Sequence, residues 1–192
     1  MFRILFLLCV FSPLLYAAGP RWDNSIDIND PDLTGEVAAE QCHKSLINAP
    51  EKLELWCEKA IEMGHWNSLV TLSMHIGDGS RLIAEAKKRM EKKEPKAYSI
   101  LAWLYRTGTF VEQDINYAMS LYKELITLDI ERPNSLITAA HLELAYLYKA
   151  QQNWAAMGEH AHYVYENTMI NYHKERAAEL LALAEQNNIK IK

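Results

Sequence analysis

The chain has 192 residues, enough for one domain with a continuous core. Asp and Glu (25) outnumber Lys and Arg (20), and a net charge of −5 is poorly suited to gripping phosphate backbones, which argues against nucleic acid as a partner. Beyond the N-terminus no stretch approaches the roughly 20 apolar residues a membrane-spanning helix needs, so no stable membrane insertion is expected of the mature chain.

Residues 1–19 read as a secretory leader: Arg3, an apolar run from Ile4 to Leu15, then small residues up to Gly19. The alternative is a buried N-terminal helix. Cleavage would remove Arg3 alone among the charged residues and place the product in the periplasm or outside the cell. Residues 20–33 are rich in Asp, Asn and Pro and are expected to form an extended or mobile polar arm.

From Thr34 onward good helix formers dominate, Gly and Pro fall between segments, and nothing alternates like a strand. Helices are expected in pairs over 34–48 and 50–63, 66–76 and 80–94, 96–107 and 114–128, 136–150 and 154–167. Gly64, Gly77-Asp78-Gly79, Pro95 and Gly108 act as stops or turns. A ninth helix over 171–186 carries Ala177, Leu180, Leu181 and Ala184 on one stripe, the pattern of an element that closes a stack.

With the leader removed, Cys42 and Cys57 remain, an even pair in an exported chain. They lie seven residues either side of Ala49-Pro50, which sets them face to face across an antiparallel helix hairpin. A bridge is the expected reading, and two buried free thiols are the alternative.

The pairs repeat. A slide of 43 residues matches Ala97 to Ala140, Leu101 to Leu144, Ala102 to Ala145, Tyr105 to Tyr148, Ala118 to Ala161 and Tyr122 to Tyr165. A slide of 29 the other way matches Ala97 to Ser68, Leu101 to Leu72, Ala102 to Ser73 and Gly108 to Gly79. Ala97, Leu101, Ala102, Tyr105, Gly108, Val111, Asp114, Ala118, Leu121 and Tyr122 are similar, at these spacings, to one repeat of the Sel1-like family, a relative of the tetratricopeptide repeat. The chain departs from that pattern at Ala102, Phe110, Tyr117 and Leu121, where the family has Gly, Gly, Lys and Trp. Trp56 to Ile61, followed by Gly64, resembles the end of a second repeat. The resemblance implies an all-α fold over 34–187: a right-handed solenoid of about four antiparallel helix pairs plus a C-terminal capping helix.

In such a stack the first helix of each pair lines an inner face. The positions turned off the core are Ser99, Trp103 and Arg106, with Leu142, Tyr146 and Lys149 one repeat on and Val70 and Met74 one repeat back. Aromatic, Met and Arg side chains along one groove are the types that anchor protein interfaces. The alternative is that they pack against the arm or neighbouring helices.

No motif of phosphate, metal or cofactor chemistry is present, so no cofactor is expected. His141, His160 and His173 could converge in space, but none shows metal-ligand spacing, and His160 and His162 point to opposite sides of one helix. Ser120-Leu121-Tyr122-Lys123 fits S-x-x-K without the S-D-N that should follow. The expected function is therefore not enzymatic: the chain binds another protein, as an envelope adaptor or as the inhibitor or immunity protein of a secreted toxin. The alternative is a weak penicillin-binding or β-lactam-hydrolysing enzyme.

Overall fold

Runs of helix formers broken by short Gly, Pro and Asx punctuation produce, in the computed structural model, nine α-helices and no strand among the described residues, 23–131 and 134–189. The leader expected over 1–19 lies outside these residues. In order the helices are α1 (Gly35–Asn48), α2 (Leu53–Glu62), α3 (Leu69–Ile76), α4 (Ser80–Met90), α5 (Pro95–Thr107), α6 (Ile115–Thr127), α7 (Ser135–Ala150), α8 (Trp154–Asn167) and α9 (Asn171–Gln186). Among them, no helix is long and apolar enough to cross a membrane.

The ends follow local chemistry. Thr34, Asp114, Asn134 and Asn153 cap α1, α6, α7 and α8, each side-chain oxygen accepting from a first-turn amide that would otherwise lack a partner. Gly77 and Gly108 close α3 and α5 in the left-handed conformation, with φ of 75° and 73°. Gly77, rather than the Gly79 matched by the 29-residue slide, is thus the counterpart of Gly108, and α3 ends at the expected Ile76. α4 stops short of the expected Glu94, at Met90. Pro95 opens α5 as its first residue, where a missing N–H costs nothing.

The most extensive contacts join chain neighbours: α1 with α2, α5 with α6, α7 with α8, and α8 with α9. Alternate helices also touch, α1 with α3, α5 with α7, and α7 with α9. The repeated positions form the core. Ala97, Leu101, Ala102 and Ala118 are buried, and so are their counterparts Ala140, Leu144, Ala145 and Ala161. Small residues there let helix backbones approach, and the leucines fill what is left. A second buried cluster is built from Leu142, Met157, Ala161 and Val164, with Ala177, Leu180 and Ala184 of α9 against them.

Cys42 and Cys57, on α1 and α2, are buried and at disulfide distance, with Sγ–Sγ 2.07 Å and Cα–Cα 4.6 Å. The described part of the arm differs from the expected extended form. Asp23, Asp27 and Asp30 accept from the amides of Ser25, Asn29 and Asp32 in successive turns, and Ile26, Ile28 and Leu33 pack against the core.

Candidate binding groove

Three of the eight residues singled out for partner binding come together. Val70 of α3 and Ser99 and Trp103 of α5 line one cavity of about 350 Å³, with His43 of α1 and Lys96 and Ile100 of α5. Trp103 is half-buried, its ring packed against the core on one side. Its indole N–H donates to no protein group among the described residues, unlike that of Trp66, which donates to Glu94 Oε1 at 2.6 Å. Lys96 likewise has no carboxylate within ion-pair distance among the described residues. The cavity thus offers an apolar floor and hydrogen-bond donors at its rim, an arrangement suited to a protruding side chain of a partner.

The other five residues are placed elsewhere. Met74 is about half exposed on α3 (51%) and does not line the cavity. Arg106 is held within the molecule, its Nε 3.2 Å from a carboxylate oxygen of Glu143 on α7. Both act on Tyr122. Burial, and then the Glu143 charge, push that phenol up to about 12, against the opposing pull of Arg106. Leu142 belongs to the second core cluster rather than to a groove, because α9 closes over it. Tyr146 is partly exposed, and burial and the nearby α9 residues Tyr172 and Glu179 outweigh Arg176 in raising its phenol. Lys149 stands exposed near the end of α7.

His43 and Lys96 line the cavity but escape a reading by repeat offset. His43 lies in the first pair, which neither slide reaches, and Lys96 precedes the first matched position. The expected histidine convergence is half met. His141 and His160 meet, with Nδ1 to Nδ1 2.9 Å, while His173 packs beside Tyr172 and its buried Nδ1 has no hydrogen-bond partner. No group of three or more potential metal ligands occurs among the described residues. In the S-x-x-K segment, the Ser120 hydroxyl donates to the Tyr117 carbonyl at 2.7 Å, and the Lys123 ammonium sits over the Tyr148 ring.

No family model, no curated protein and no solved structure matches this chain.

Proposed function

We propose that this chain is an exported, periplasmic helical-repeat protein of the Sel1-like kind, which binds another protein through its inner face as an envelope adaptor or as the inhibitor or immunity protein of a toxin. In this reading the helices form a right-handed solenoid of about four antiparallel pairs, with α9 as the cap. The observation that carries the proposal is the cavity under Trp103. A large, half-buried aromatic, its N–H donating to no group among the described residues, borders a recess shared by α1, α3 and α5. The paired cysteines fit an oxidising compartment.

The test places a photo-crosslinking residue at Ser99 in cells that make the protein, with Tyr117 on α6 as the comparison site. A discrete adduct from position 99, lost on Trp103→Ala and absent from position 117, is expected. Truncating an aromatic anchor commonly costs about 2 kcal/mol or more, roughly thirtyfold in affinity. Melting is the control. Leu101, fully buried, should lose about 2–5 kcal/mol of folding free energy on Leu101→Ala, and Trp103→Ala clearly less. Equal adducts from both faces, or a Trp103→Ala protein that melts as early as Leu101→Ala, would sink the reading.

A further inference from the structure

α7 and α8 meet through two imidazoles. The 2.9 Å between His141 Nδ1 and His160 Nδ1 is a hydrogen-bond distance, so one ring must carry an Nδ1 proton and the other must present a lone pair. Protonating both rings would set two N–H groups against each other at 2.9 Å, a contact that must open.

The rings cannot swing aside without loss. His141 lies flat on Tyr163, with centroids 3.7 Å apart and planes within 11°, and His160 lies parallel to Tyr148 at 5.5 Å. Lys123 of α6 reaches over the other partner in this stack, its Nζ 5.5 Å from the Tyr148 ring centre. Among the groups facing the pair are Tyr148 from α7, Tyr163 from α8 and the cation Lys123 from α6. α9 also packs on α8 and contributes no charge that acts on His160. Burial first, and Lys123 second, bring the His160 imidazole down to about 4.

We propose that His141 and His160 form a proton-sharing pair that fastens α8 to α7 and lets go as the surroundings acidify. The sign follows from linkage. His160 takes up a proton more weakly in the closed form than in an opened segment, where the ordinary value of about 6.5 returns. The closed form is fully favoured above that ordinary value. As pH falls from there toward about 4, the opening equilibrium rises by close to tenfold per pH unit. This inference is independent of the groove.

Hydrogen exchange on the full chain tests it, corrected for the intrinsic pH dependence of exchange. Between pH 7 and pH 5, opening of α8 should increase on the order of thirtyfold, while α1 and α2 stay near their starting protection. His160→Phe removes this titration and should flatten the response, and His141→Phe removes the hydrogen-bonded partner and should weaken it; each keeps an aromatic ring in the stack. Imidazole nitrogen shifts of the unmodified protein should show one ring still neutral at pH 5. The proposal is overturned if α8 and α1 open in step, if the response survives in both Phe variants, or if both imidazoles protonate near the ordinary value in the folded chain. Should either variant fail to fold, the exchange and imidazole measurements on the unmodified chain decide.

Discussion

Phe110 adopts φ of 61°, the left-handed conformation that Gly favours. Its strain is offset by packing: the ring lies over Gly79, where an added Cβ would fall 2.4 Å from the Phe110 side chain. The two positions are therefore coupled. Gly79→Ala is expected to destabilise by about 1–3 kcal/mol through overpacking, read as a lower urea midpoint. Adding Phe110→Gly should recover part of that loss, because the colliding Cβ and ring are both gone and Gly suits the left-handed backbone. Additive losses in the double variant would show that the two side chains do not meet.

At the scale of elements, the first helix pair is set apart by Cys42 and Cys57, whose 15-residue separation defines a closed loop. A bridge of that span is expected to contribute about 3 kcal/mol, chiefly by restricting the unfolded chain. Mass spectrometry without reductant should find the protein two protons lighter than the dithiol, and reduction should lower the melting temperature. Two alkylatable thiols in freshly isolated protein would refute the bridge. The next junction is held differently. Arg89 of α4 contacts Glu85 at 2.7 Å and Glu94 at 2.8 Å while its guanidinium stacks over Trp66, whose indole N–H also donates to Glu94. This network joins the entry to α3, the end of α4 and the start of α5 with charge-assisted bonds.

The whole molecule depends on its last helix. Ala177, Leu180 and Ala184 share a buried cluster with Leu142, Met157 and Val164 and so tie α9 to α7 and α8. Deleting residues 171–192 is expected to expose this cluster and drive self-association, seen as multimers by light scattering. Leu180→Ala should act in the same direction but more mildly, costing about 2–5 kcal/mol without multimers. A deleted chain that stays monodisperse with unchanged melting would show that α9 is dispensable. Leu142, offered by the repeat offset as a groove residue, is buried for this reason: the final helix turns an inner-face position into core.

Helix existence was legible from residue order alone, because apolar spacing, caps and Gly or Pro stops act within a few residues of where they stand. α8 and α9 match the expected ranges at both ends, and the small residues of the 43-residue repeat are the ones that became core. The seven-and-seven spacing around Ala49-Pro50 brought Cys42 to Cys57 because a hairpin's register is a local property. Other features needed the third dimension. The capture of Arg106 by Glu143, the meeting of His141 with His160 and the cover of α9 over Leu142 all join residues from different helices. Helix crossing distances and loop lengths decide such contacts, and a periodic pattern along one chain carries neither. Sequence therefore determined which residues face the core on each helix, and packing between helices decided which of the others stay exposed.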